Sequence, residues 1–117
     1  MWTVEIDSHA ETEIERLPDD LKARFVLVVE QIQEFGFDDL SSKLVKKIGS
    51  DLWELRLKAA SGIARALYFT VKPRRMFVVS AFVKKSDKLP LNEEAKAESR
   101  MKAWRQREAM KTKKEER

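Results

Sequence analysis

Leu52-Trp53-Glu54-Leu55-Arg56, then Gly62-Ile63-Ala64-Arg65-Ala66-Leu67-Tyr68-Phe69, then the apolar run 76–83, which breaks into Lys84-Lys85-Ser86-Asp87-Lys88-Leu89-Pro90: this stretch decides the fold. In its first part Trp53, Leu55 and Leu57 alternate with Glu54, Arg56 and Lys58, the period of a half-buried strand. The segment after Gly62 alternates less cleanly, because Arg65 shares a face with Ile63, Leu67 and Phe69. The run 76–83 has no polar face and reads as a central strand covered on both sides. An arginine in a strand gives up packing area. One on each of two neighbouring strands therefore points to a basic surface carried on a rigid sheet, a cradle suited to phosphate.

Outward from this core, Trp2-Thr3-Val4-Glu5-Ile6 alternates and predicts a first strand. Asp7 and Ser8 are N-cap candidates for a short helix, Ser8 with Glu11 fitting a capping box, and Leu17-Pro18 stops that helix near Arg16. A second helix starts at Pro18-Asp19-Asp20, with Leu21, Phe25, Val28, Val29, Ile32 and Phe35 as its apolar stripe and Gly36 at its end. Residues 43–48 make a short edge strand, turned by Gly49-Ser50-Asp51. A last helix begins at Asn92 with Glu93 and Glu94 and carries Ala97, Met101 and Trp104 on one stripe. Beyond Glu108 the chain is lysine-rich without apolar periodicity, so 1–107 reads as one domain and 108–117 as a basic, frayed tail. Strand, two helices, strands, helix is an α+β order. It predicts a small, mostly antiparallel twisted sheet with the helix pair on one face and the last helix partly on the other.

At 117 residues the chain has room for a single core. Hydrophobic content of 43% beside 38% charged residues fits a soluble globular protein and not a disordered one. No apolar run reaches the ~20 residues that span a bilayer, and the start has no basic leader region, so a cytoplasmic protein without a membrane partner is expected. Charge is unevenly divided. Residues 1–42 hold 3 Lys/Arg against 11 Asp/Glu, and residues 43–117 hold 21 against 9. The second half therefore suits a polyanion, while the acidic helices lie elsewhere.

The one histidine, His9, falls in the first helical turn, which fits a surface or capping residue and excludes any paired-histidine ribonuclease mechanism. With no cysteine and one imidazole, no zinc site is expected, and Asp19-Asp20 and Asp38-Asp39 read as solvated turns; no metal and no cofactor is predicted. Two readings stay open for Arg65: a guanidinium whose paired donors match phosphoryl oxygens, or a partly buried ion pair to Glu54. Arg56 admits the same two. Lys84, Lys85 and Lys88 follow the most buried strand, where they can meet a nucleic-acid backbone or serve only as a soluble strand exit. Trp53, Tyr68 and Trp104 read as packing residues.

Lys43-Leu44, Leu52-Trp53-Glu54-Leu55-Arg56, Gly62 with Arg65 and Tyr68-Phe69, Phe82-Val83-Lys84-Lys85 with Lys88 and Pro90, and Glu94, Ala97 and Arg100 form an ordered set. Over about residues 2–105 this set resembles the HigB-type toxins of the RelE/ParE superfamily, in their phage-derived branch. That family often carries a histidine shortly before its Phe-x-Lys-Lys segment, where Ser80 stands here. The resemblance implies a metal-independent endoribonuclease toxin that cuts mRNA in the A site of the 30S ribosome. It also implies a helix-turn-helix antitoxin that holds the toxin inactive, the pair sitting on operator DNA. Cleavage by 2′-hydroxyl attack needs charge stabilisation on the phosphorane and proton transfers. Arg56 and Arg65 are assigned to the former. Lys84 is assigned to the latter, if neighbouring positive charge or burial lowers its pKa from ~10.4. Lys46, Lys47, Lys85, Lys88 and Arg100 would guide RNA. Two rival readings are a ParE-like inhibitor of DNA gyrase on the same fold and a non-enzymatic basic RNA-binding domain.

Overall fold

The apolar run becomes a strand with a partner on either side, and the rest of the molecule is arranged around it. The computed structural model describes residues 1–85 and 88–115. Its elements are β1 (Thr3–Ile6), α1 (Ser8–Glu15), α2 (Asp19–Phe35), β2 (Val45–Lys47), β3 (Trp53–Ala59), β4 (Gly62–Val71), β5 (Arg75–Val83) and α3 (Leu91–Glu115). One sheet runs β1-β5-β4-β3-β2, with β1 parallel to β5 and every other pair antiparallel. The α+β architecture and its mostly antiparallel sheet are those the sequence predicts.

Each face of the sheet has its own core. Under α1 and α2, Leu21, Phe25, Val28 and Ile32 pack on Leu55, Leu57, Ala64, Ala66, Tyr68, Met76 and Val78. Under α3, Ala97 and Met101 with Trp104 cover Leu52, Leu67, Phe69, Phe77 and Val79. Trp104 meets Phe77 and Phe69 at ring-centroid distances of 4.2 and 5.3 Å. Between β4 and β5 the register passes from Tyr68↔Val78 to Leu67↔Ser80, so Val79 is an extra residue and β5 bulges there. Ser80, at 0% exposure, donates from its hydroxyl to Glu93 Oε2 at 2.9 Å and pins the start of α3 to the bulge.

β1 ends at Ile6↔Val78, which would leave the next stretch of β5 an open strand edge. Side chains close it. The Ala81 N–H donates to Glu13 Oε1 at 3.2 Å, and the Val79 carbonyl accepts from Arg100 Nη1 at 2.7 Å. Arg100 also donates twice to the Glu13 carboxylate, at 2.9 and 3.1 Å, and Lys96 once at 3.1 Å. Glu13 on α1 and Arg100 on α3 thus join the two helical layers around the sheet edge. Arg100, expected along RNA, is instead committed here with its side chain 15% exposed.

Four local expectations change. Of the two N-cap candidates it is Asp7 that caps α1, its Oδ2 accepting from the His9 and Ala10 N–H groups, in place of the expected Ser8–Glu11 box. Phe35 is 58% exposed rather than part of the inner stripe. Gly36, at φ 75°, reverses the chain first, and Phe37 takes the inner place between Trp2 and Tyr68 at centroid distances of 4.9 and 5.5 Å. The edge strand is shorter than residues 43–48. The last helix continues to Glu115 instead of fraying after Glu108, while residues 116–117 of the expected tail lie outside the described residues.

Two predictions come from this packing. Burial raises the Glu13 pKa, but hydrogen bonds from Arg100, Lys96 and the Ala81 N–H together outweigh it and hold the carboxyl below its ordinary 4.5. The folded value being the lower one, Glu13 contributes stability above the unfolded value, and that contribution is lost as pH falls through the folded one. Glu13→Gln should therefore lower the unfolding free energy by about 1–3 kcal/mol at pH 7, with the gap to the parent protein narrowing below pH 4.5 in urea titrations. Gly36→Ala should also destabilise. A Cβ there would sit 2.9 Å from Trp2 Nε1 at a positive φ, and a melting temperature lowered by several degrees, equivalent to ~1–3 kcal/mol, is expected.

Candidate nucleic-acid interface

β2 and β3 pair with Lys46 opposite Glu54 and Lys47 opposite Trp53. Strand alternation then parts two lysines that are adjacent in sequence. Lys47 lies over the Trp53 ring, its Nζ 5.9 Å from the centroid, on the helix-pair side. Lys46 falls on the other side and lines a cleft of about 210 Å³ with Ser42, Lys43, Leu44, Val45, Glu54 and Arg56. The Arg56 N–H donates to the Leu44 carbonyl at 2.7 Å, so the backbone under this cleft is held by the sheet itself.

Behind the cleft is a charge in the core. Arg56 stands directly opposite Arg65 on β4, and Arg65 opposite Phe82 on β5. Two like charges facing across a ladder repel. Glu54, two residues along the same face of β3, supplies the compensation: Arg65 Nε lies 3.1 Å from its Oε1, with the two side chains 3% and 4% exposed. The ion pair to Glu54, one of the two readings open for Arg65, is present in the structure. Arg56 is the opposite case, half-buried at the mouth of the cleft.

Lys84 emerges at the end of β5, its N–H donating to the Ile63 carbonyl at 2.7 Å. It is half-buried, and Lys85 and Lys88 are exposed. Two strand spacings of ~4.8 Å separate its strand from that of Arg56. Ser86 and Asp87 lie outside the described residues. The structure thus brings Lys46 and Arg56 together, adds Lys43, sets Arg65 beneath them and Lys84, Lys85 and Lys88 to one side, and takes away Lys47 and Arg100. Glu54, which the sequence offers only as a counter-ion, also lines the cleft. Its signal was available in the alternation that puts it on the face of Arg56 and Arg65.

The remaining candidates have structural duties. Tyr68, 2% exposed, belongs to the core on the opposite face, and burial pushes its phenol far above its ordinary pKa. His9 is exposed, 3.4 Å from the Asp7 carboxylate. The Asp20 carboxylate accepts from the Ser61 N–H at 2.9 Å, tying α2 to the β3–β4 turn. Among the described residues no three His, Cys, Asp or Glu gather to hold a metal ion, and no helix is long and apolar enough to cross a membrane.

Comparison with solved structures places this fold. The free Escherichia coli toxin RelE, in an arginine-substituted form, superposes with a TM-score of 0.61 at 14% identity, over 85% of this chain and 96% of that one. The RelE of the archaeal RelE–RelB complex from Pyrococcus horikoshii gives 0.52 at 16% identity, over 72% and 96%. No curated protein matches in sequence. A family profile described as phage-derived protein Gp49-like (DUF891) matches residues 12–102. This chain, with its RelE-like sheet and helices, therefore belongs to the phage-derived Gp49-like family.

Proposed function

We propose that this protein is the toxin of a toxin–antitoxin pair and acts as an endoribonuclease that cuts mRNA on the ribosome, in the 30S A site. The observation that carries the reading is the cleft lined by Lys43, Lys46 and Arg56 on a rigid sheet of the RelE fold. Cations on or next to a strand start from a backbone the sheet already holds, and guanidinium donors match the oxygens of a phosphorane. Arg56 takes the scissile phosphate. Arg65, from beneath, holds Glu54. Lys84, Lys85 and Lys88 follow the backbone on one side as phosphate contacts. A helix-turn-helix antitoxin would neutralise the toxin and carry it to operator DNA; RelB in the archaeal complex supports a protein partner of this general kind.

Such a cleft has few groups that move protons, which suits an enzyme whose substrate strand is presented and bent by the ribosome. In a reconstituted translation reaction the protein should leave mRNA cut at codon positions. Intact mRNA with arrested DNA supercoiling would instead identify a gyrase inhibitor, and neither effect would identify a passive RNA binder.

Arg56→Ala should abolish growth arrest on expression and leave the melting temperature within a few degrees, since the side chain is half-exposed and outside both cores. Arrest that survives the substitution would move the phosphate site away from the cleft. Ribosome affinity should fall with salt by about −0.7 in log–log slope for each phosphate neutralised on a single strand. Replacing Lys84, Lys85 and Lys88 together by alanine should flatten that slope, and an unchanged slope would place the backbone contacts elsewhere.

A further inference from the structure

We infer that Glu54 is the group that accepts the proton of the attacking 2′-hydroxyl, an inference that rests on the ribonuclease reading above. Among the described residues, the polar lining of the cleft besides Glu54 is two lysines and an arginine, which as cations only donate, and one hydroxyl, that of Ser42. Among the described residues, Glu54 is the one carboxylate that lines it. It is also almost wholly withdrawn from bulk water, at 3% exposure. A carboxylate is seldom buried so deeply without paired charge. Arg65 provides that charge at Oε1 and fixes where the carboxylate sits. Lys46 stands directly across the ladder, and Arg56 two residues along the same face.

A counter-ion for Arg65 could come from any position within reach of the guanidinium. This one borders the space where Arg56 would hold a phosphate. The position matters because general-base transfer requires the acceptor within hydrogen-bond reach of the proton that it takes.

The step balances within the cleft. The 2′-hydroxyl gives its proton to Glu54 as its oxygen bonds to phosphorus. The phosphorus–5′-oxygen bond breaks, and the leaving oxygen takes a proton from the Lys46 ammonium. The products are a 2′,3′-cyclic phosphate and a 5′-hydroxyl. Exchange with solvent returns the proton from Glu54 and restores that of Lys46. Lys84, two strands away, is then a phosphate contact and not the proton carrier.

The test is single-turnover cleavage of a defined mRNA on programmed ribosomes across a range of pH, with ribosome binding and thermal melting measured in parallel. Glu54→Gln should slow cleavage by about 100-fold or more, keep ribosome affinity within about threefold, and abolish the fall in rate on the acid side. Glu54→Asp keeps the acceptor but draws it back by one methylene, and should restore part of the rate together with the acid limb. A group that merely held the fold would not change the shape of the pH profile. Glu54→Gln cutting at the parent rate, or slower but with its acid limb intact, overturns the inference while the ribonuclease reading stands. A parent protein that cuts no mRNA overturns both. Should Glu54→Gln not fold, the Glu54→Gln, Arg65→Met double variant removes the buried charge pair together, and cleavage by that folded protein at the parent rate would equally refute the role.

Discussion

A buried pair of opposite charges, Arg65 on β4 and Glu54 on β3, sets the terms for the rest of this molecule. Breaking such a pair by removing one partner costs about 3–5 kcal/mol, whereas replacing both by apolar groups is often neutral. The pair is thus a poor device for stability alone. Its place in the sheet gives a better account of it. It lies on the face of β3 and β4 that α3 leaves partly open, beneath an arginine that meets solvent, and it holds a carboxylate in a cleft that Lys43, Lys46 and Arg56 also line.

The two sides of the sheet divide the work. The acidic α1 and α2 cover one face with apolar packing, which keeps the negative charge of the first half on the opposite side of the sheet from Arg56 and Lys46. The other face is shared. Aromatic rings under α3 occupy the end of the sheet near Phe69 and Phe77, and the charged side chains of Glu54, Arg56 and Arg65 occupy the middle of β3 and β4. Glu13 and Arg100 lock the two helical layers together at the edge of β5, so the open part of the face is held from both directions. Cations on such a frame are pre-positioned, the condition under which electrostatic stabilisation of a transition state is most effective.

Much of this was legible in the residues because the strongest signals were periodic. The alternation through Trp53, Leu55 and Leu57 gave the face assignment of β3, and the unbroken apolar run gave the central strand. The spacing of Ala97, Met101 and Trp104 gave the packed side of α3. What escaped reading depends on partners distant in sequence. Arg100 looked like a surface cation because its mates, Glu13 and the Val79 carbonyl, come from another helix and from a strand edge exposed only by the shortness of β1. Lys47 was grouped with Lys46 by adjacency, although a strand sends neighbours to opposite faces. Arg65 was recognised as either phosphate ligand or ion pair, and only the third dimension could choose. Glu54 followed from that choice.

The central claim is that two arginines facing each other across one ladder differ completely in role, Arg65 sealed in the sheet and Arg56 open to phosphate. Arginine side-chain NMR reads this directly, through the Nε–Hε signals of both residues followed for hydrogen exchange and then titrated with a short single-stranded RNA. The account predicts a slowly exchanging Arg65 signal that shifts little and a fast-exchanging Arg56 signal that moves with added RNA. An Arg65 signal that exchanges freely and takes up the RNA-dependent shift, with Arg56 indifferent, would contradict it.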